Sequence, residues 1–370
     1  MNRKIALFGR NRTSFTDYFT HRAAFTIFAA AMEPHFYHYD RPFPLERGGV
    51  LPQLEIAYHT YGRPNAAGDN VVWVCHALTA NSEVADWWPH TVEEGRFLDP
   101  GRHYIVCANI LGSHYGSTGP LSTNPATGEP WYGDFPALTL RDIVRAHRLL
   151  ADALGIRSIG LLIGSSVGGF QAVEWAVSEP GFIRRLALIA TAAKATPWQI
   201  AIDQTQRMAI EADSTFGQRH PDAGKKGMAA ARAIGLLTYR GPEGYNLTQQ
   251  ERDDAPRYEG FRACTYQEYQ GEKLCRRFDA YSYRTILDTF DTHDVGRGRG
   301  GVAAALQRIT ARTLVVGITT DLIFTPAEMR ALQSQIPNST YREIDSPFGH
   351  DGFLVEHDQL NGLLLPLAND

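Results

Sequence analysis

Apolar positions along the chain change their spacing from segment to segment. "NVVWVCHA" (70–77), "HYIVCANI" (103–110) and "IGLLI" (159–163) are short, nearly unbroken apolar runs, as expected of strands buried on both faces of a parallel sheet. "RRLALIATAA" (184–193), "TLVVGI" (313–318) and "TYREID" (340–345) predict three more strands. "LPQLEIAYHTYG" (51–62) alternates instead, with Leu54, Ile56 and Tyr58 on one side, and predicts a half-buried antiparallel strand ending at Gly62. Elsewhere the period lengthens to that of a helix. In "LTLRDIVRAHRLLADALGI", Thr139 and Asp142 form a capping pair, Leu140, Ile143, Val144, His147 and Leu154 share a face, and Gly155 stops the helix.

After Ala193 the texture changes. Residues 195–303 lack buried-strand runs and read as helices broken by polar, Gly- and Arg-rich stretches. Strands that alternate with helices and are interrupted once predict an α/β fold with a mostly parallel central sheet flanked by helices. The expected organisation is a core made of 33–194 and 304–370, with 195–303 as a helical lid insertion. Residues 1–32, basic and rich in Phe and Thr, are expected to be a poorly ordered extension.

Composition narrows the function classes. The 370 residues carry a net charge of -4 with both signs interspersed, so no basic field invites nucleic acid or a membrane surface. No apolar run approaches the length of a membrane span. Four scattered cysteines, with Cys75 and Cys107 inside apolar runs, argue against a disulfide framework or a metal site and for a cytoplasmic protein.

The chemistry is concentrated where the run at 159–163 meets Gly164-Ser165-Ser166-Val167-Gly168 and a helical pattern follows to Val177. This is G-x-S-x-G in a strand-to-helix context, where a sharp turn lifts one serine, Ser166, above the sheet. A serine hydroxyl needs a base, and the base needs an orienting acid. Their order on such a fold is serine, acid, histidine. Asp321 ends the apolar run of "VVGITTDLIF", and His350 follows a late strand in "DSPFGHDGF". Both stand at carboxyl ends of strands, where open α/β sheets build their sites. Two backbone donors for an oxyanion are expected at Val167, next after the serine, and at Leu78 in "CHALTAN" (75–81). His76 in that loop is expected to be a structural hydrogen-bonding residue.

Several further blocks resemble the homoserine O-acyltransferase family of the α/β-hydrolase superfamily: "CHALT" (75–79), "GSTGP" (116–120), "DFPALTLRDIV" (134–144), "QAVEWA" (171–176), "ARAIGLLTYR" (231–240), "YQGEKLCRRFDAYSY" (269–283), "DVGRGRGG" (294–301) and "DSPFGHDGFL" (345–354). The resemblance covers roughly residues 36–365. It implies an α/β-hydrolase fold and transfer of an acyl group from a coenzyme A thioester to the hydroxyl of L-homoserine, an early step of methionine biosynthesis. It implies Ser166 as nucleophile, His350 as general base and acid, and Asp321 as its partner. It further implies that Arg232 pairs with the amino-acid carboxylate, that Tyr239 lines the pocket, and that Asp351 holds the substrate ammonium. The elbow departs from the commonest family spelling, with Ser165 and Val167 where Gly and Met are usual. Acetyl-CoA is the expected donor substrate, with no permanently bound cofactor and a homodimer through the lid helices. A succinyl donor, a serine acceptor, an esterase or thioesterase, and a non-catalytic binding protein remain the alternatives.

Overall fold

The strand-like runs come together in one eight-stranded sheet of the computed structural model, which describes residues 32–369. The extension expected over 1–32 lies, apart from Met32, outside the described residues. In chain order the first elements are β1 (His35–Tyr39), a small antiparallel pair β2 (Phe43–Pro44) and β3 (Val50–Leu51), then β4 (Leu54–Tyr61), β5 (Val71–Cys75) and the short helix α1 (Val84–Trp87). They continue with β6 (Tyr104–Ala108), α2 (Leu140–Ala153), β7 (Ile159–Ser165), α3 (Val167–Ser178) and β8 (Ile183–Ile189). Among the described residues six helices separate β8 from β9. These are α4 (Pro197–Glu211), α5 (Lys225–Tyr239), α6 (Pro242–Gln249), α7 (Arg262–Cys275), α8 (Ala280–Asp291) and α9 (Val302–Leu306). The chain closes with β9 (Arg312–Ile318), α10 (Pro326–Gln333), β10 (Ser339–Ile344), α11 (Gly352–Val355) and α12 (His357–Asn369).

The sheet order is β1-β4-β6-β5-β7-β8-β9-β10. Pairing is parallel from β6 through β10, and β4 runs antiparallel to both of its neighbours. The alternation of β4 and the unbroken apolar runs of the parallel strands thus have the cause the sequence suggests: β4 lies half-buried in the antiparallel part of the sheet, and the parallel strands fill its covered middle. Along β5, Val71, Trp73 and Cys75 face the core under α2 and α3, while Val72 and Val74 face the one under α1 and α12.

Helix α2 starts on a complete capping box between Thr139 and Asp142. Its His147 is buried beside Trp73 and Trp175, whose rings meet edge to face at 5.1 Å. Burial pushes the imidazole pKa down to about 3, so His147 packs as a neutral ring. Strand β8 ends at Ile189, short of the expected Ala193. Ala190 turns into the left-handed region at φ 45°, and its carbonyl leaves the ladder to accept from the Ser166 amide.

The helices between β8 and β9 are tied to one another by buried polar contacts. Tyr283 on α8 donates to Gln206 Oε1 on α4 at 2.6 Å, and the buried Arg207 pairs with Asp291 at 2.7 Å. Trp198, Met208, Leu237 and Leu247 on these helices leave large apolar side chains exposed. No helix among the described residues is long and apolar enough to cross a membrane.

Candidate active site

At the carboxyl end of β7 the backbone makes an abrupt change of direction. Ser166 has φ 56° and ψ -130°, outside the region open to most side chains, and the next residue begins α3. The conformation is held from both sides. The Ser166 amide donates to the carbonyls of Ile189 at 3.0 Å and Ala190 at 3.1 Å. Its own carbonyl accepts from the Gly169 amide at 2.9 Å and from Thr191 Oγ1 at 2.7 Å. A Cβ on Gly164 would strike the carbonyl of Gly168, and one on Gly168 would strike the carbonyl of Cys75. Both flanking glycines are therefore required by close backbone approach. Strain of this kind persists only where the surroundings over-determine it, and here it presents a half-buried hydroxyl at the sheet edge.

The acid and the histidine stand after β9 and β10, on the same side of the sheet. His350 Nδ1 bonds Asp321 Oδ2 at 2.7 Å, and both side chains are buried. The second oxygen of Asp321 accepts the amides of Ile323 at 2.8 Å and Phe324 at 3.1 Å, so the carboxylate is locked in orientation. The helix that follows is capped by Thr325, which leaves Asp321 to face the histidine. His350 lies in a 3-10 turn, Gly349–Asp351, rather than in an open loop. Gly349 enters it at φ 60°, and its amide donates to Thr320 Oγ1 at 2.9 Å, stitching the acid loop to the histidine turn. The rings of Phe324 and Phe353 stand 5.2 and 5.4 Å from the imidazole and shield the pair from water. With Nδ1 engaged by the carboxylate, Nε2 is the nitrogen left to a serine hydroxyl.

Two loops leave neighbouring strands at the same level. Cys75 and Gly164 are partners across β5 and β7, and Leu78 and Val167 each lie three residues further on. The Val167 amide is the first of α3 and lacks an intrahelical acceptor. Beside them His76 is fully buried, and its pKa is pushed down to about 4 by that burial. Its Nε2 accepts from the Ile110 amide at 3.1 Å, which leaves Nδ1 to donate to the Ala77 carbonyl at 2.9 Å. His76 is thus a structural residue.

Arg232 and Tyr239 share a face of α5, with the guanidinium 5.4 Å from the centre of the Tyr239 ring. That ring lies 6.2 Å from the imidazole of His350. Burial raises the Tyr239 hydroxyl to about 12, with Arg232 working against the shift and Asp351 with it. Asp351 is not an isolated anion. Its Oδ2 accepts from Arg240 Nε at 2.9 Å, and the buried Arg240 also lies over the Tyr266 ring at 5.2 Å. Reading the sequence alone misses Arg240 as a site residue, although it ends the "ARAIGLLTYR" block. Its partner is 111 positions away, and no local pattern announces the pair. Among the described residues no cluster of His, Cys, Asp or Glu is arranged to hold a metal ion.

A family model described as alpha/beta hydrolase fold matches residues 70–357. The chain is 45% identical over 337 residues to a homoserine O-acetyltransferase of Cyclobacterium marinum, covering 90% of this chain and 94% of that protein. It is 42% identical to a homoserine O-acetyltransferase of Moorella thermoacetica, covering 90% of this chain and 96% of the relative. Among solved structures, the acetyl esterase MekB superposes with a TM-score of 0.82 at 27% identity, over 92% of this chain and 98% of that one.

Proposed function

Because the chain belongs to the homoserine O-acetyltransferase family of α/β-hydrolase-fold enzymes, we propose that it moves an acetyl group from acetyl-CoA to the hydroxyl of L-homoserine. The observation that carries this reading is the likeness to named acetyltransferases over 90% of the chain, in which the serine elbow follows β7 and the Asp321–His350 pair follows β9 and β10 of the same sheet. His350 Nε2 takes the Ser166 proton as Oγ attacks the thioester carbon, and the oxyanion gathers the Val167 and Leu78 amides. The intermediate collapses, the thiolate leaves with the proton from His350, and acetyl-Ser166 remains. Homoserine then gives its hydroxyl proton to His350 and attacks the acetyl carbon. Collapse returns the proton to Ser166 and releases the O-acetyl ester. Moving an acyl group from sulfur to oxygen changes no oxidation state, so these steps call for no redox cofactor.

The acceptor carries a carboxylate and an ammonium on one carbon. Arg232 supplies a cation for the first, and Asp351, oriented by Arg240, an anion for the second. Arg232→Ala is expected to raise the KM for homoserine by about 10- to 100-fold while acetyl-CoA still acylates the serine, read by steady-state kinetics beside a single-turnover thiol assay. The helices of 195–303 serve as the lid that keeps water from the acyl-serine. Their exposed Trp198, Met208, Leu237 and Leu247 support a homodimer built through these helices, and sedimentation velocity is expected to show twice the chain mass. A cytoplasmic location suits such a biosynthetic step.

The likeness to an acetyl esterase favours a second reading, in which water is the acceptor. Thiol release from acetyl-CoA or succinyl-CoA, with and without L-homoserine or L-serine, separates the two. Release from acetyl-CoA that requires homoserine is the expected result. A preference for succinyl-CoA or for serine changes the substrate and keeps the mechanism, and release indifferent to any amino acid makes the protein a hydrolase.

A further inference from the structure

The loop that follows β5 is pinned at two separate points. Its first residue, His76, is bonded by Ala77 and Ile110, and Gln171 Nε2 donates to the His76 carbonyl at 3.3 Å. These partners are the next residue of the loop, the segment just after β6 and the helix α3, all parts of the core. The tip is held differently. The turn from Ala77 to Ala80 is closed by one main-chain bond of 3.1 Å, and the Thr79 carbonyl within it accepts from Arg277 Nη1 at 2.6 Å. The same nitrogen donates to the Tyr115 hydroxyl, which in turn donates to the Thr79 carbonyl at 3.4 Å.

Arg277 comes from the helical insertion, in the short link between α7 and α8. Its neighbours dock on the same ground. Phe278 meets the rings of His114 and Tyr115 at 5.5 Å each. Asp279 bonds His114 Nδ1 at 2.9 Å with one oxygen and caps α8 through the Ser282 amide at 2.8 Å with the other. Three consecutive residues of the insertion thus grip two loops of the core, and the only one that reaches the turn bearing Leu78 is the arginine.

We infer that Arg277 is a positioning residue for acyl transfer: by bridging the Thr79 carbonyl and the Tyr115 hydroxyl it holds the turn that aims the Leu78 amide, and so makes the oxyanion hole depend on a docked insertion. The inference rests on the reading of Ser166 as nucleophile and Leu78 as oxyanion donor. A peptide unit closed by one turn bond rocks easily, and a misplacement of about 1 Å at a reacting group costs on the order of 100-fold in rate. The two N–H bonds of Nη1 lie in the guanidinium plane and point in fixed directions, which the freely rotating ammonium of a lysine does not reproduce. The arrangement also joins two needs of a transferase, since the segment that covers the acyl-serine is the one that completes its oxyanion hole.

The test is the burst of p-nitrophenol from p-nitrophenyl acetate, which needs the serine, its base and the oxyanion donors but neither coenzyme A nor homoserine. Arg277→Ala is expected to slow the burst by about tenfold or more. An unchanged melting temperature, an unchanged KM for homoserine and partial rescue by added guanidinium are expected with it. A folded variant whose burst stays within about twofold of the parent overturns the inference. So does an unchanged burst with a raised KM for acetyl-CoA, which would make Arg277 a donor-binding residue instead. Should the alanine variant not fold, Arg277→Lys is judged by the same two outcomes. A parent protein that shows the burst but no homoserine-dependent thiol release would refute the acetyltransferase reading while leaving this one standing.

Discussion

Ser166→Ala is expected to lower homoserine-dependent thiol release by about 10⁴-fold or more, with the melting temperature unchanged. The two halves of this expectation have different origins. Catalysis falls because, in the proposed mechanism, Oγ forms the bond to the acyl group and the adjacent serine does not replace it. Ser165 is wholly buried within β7, so the second serine of the motif offers no substitute nucleophile. Stability stays because alanine keeps the Cβ, and the contacts that hold the turn are made by the main chain of residue 166. Intact-mass measurement after mixing with acetyl-CoA alone checks the intermediate directly. The parent should carry an acetyl group that homoserine removes, and the variant should carry none. An acetylated variant would put the nucleophile elsewhere.

Asp321→Asn is expected to cost about 10⁴-fold in kcat, although it changes one atom in a side chain that keeps its shape. The reason lies in how the carboxylate is shared. Oδ1 accepts two amides, Ile323 and Phe324, and only a carbonyl oxygen can do so. In the variant that position keeps the oxygen, and the NH₂ is forced toward His350 Nδ1, where Oδ2 now stands at 2.7 Å. The imidazole must then accept at Nδ1, carry its proton on Nε2, and lose the lone pair that takes the serine proton. Raising the pH is expected to restore part of the rate, because hydroxide replaces the missing base. A pH–rate profile of kcat flat above neutrality, with near-parental activity, would show that Asp321 does not set the tautomer.

What could be read from residues alone was whatever is local. The capping box at Thr139 and Asp142 is a three-residue spacing, and the elbow is a five-residue one, so both appear in the structure where the sequence places them. The apolar texture of β5, β6, β7 and β9 was legible because burial on both faces leaves little choice of residue. The end of β8 was not. Ala190 continues the apolar run, and what turns it out of the strand is the Ser166 amide, which belongs to another loop. The same holds for the ion pair of Arg240 with Asp351 and for the grip of Arg277 on Thr79. Each depends on two distant segments meeting, and a chain read one window at a time holds no record of such meetings.

The helical insertion has one more consequence, for the order in which activity arises as the chain is made. Ser166, the proposed nucleophile, stands before the insertion, and Asp321 and His350, its proposed acid and base, stand after it. The pairing of β8 with β9, which brings Ile189 against Val316, closes a loop of more than a hundred residues and is entropically among the slowest contacts to form. Until it forms, Asp321 and His350 have no frame to hold them beside the elbow. On the proposed function, a nascent or half-folded chain therefore carries Ser166 with no base beside it, and thioester cleavage waits until the strands on both sides of the insertion have paired.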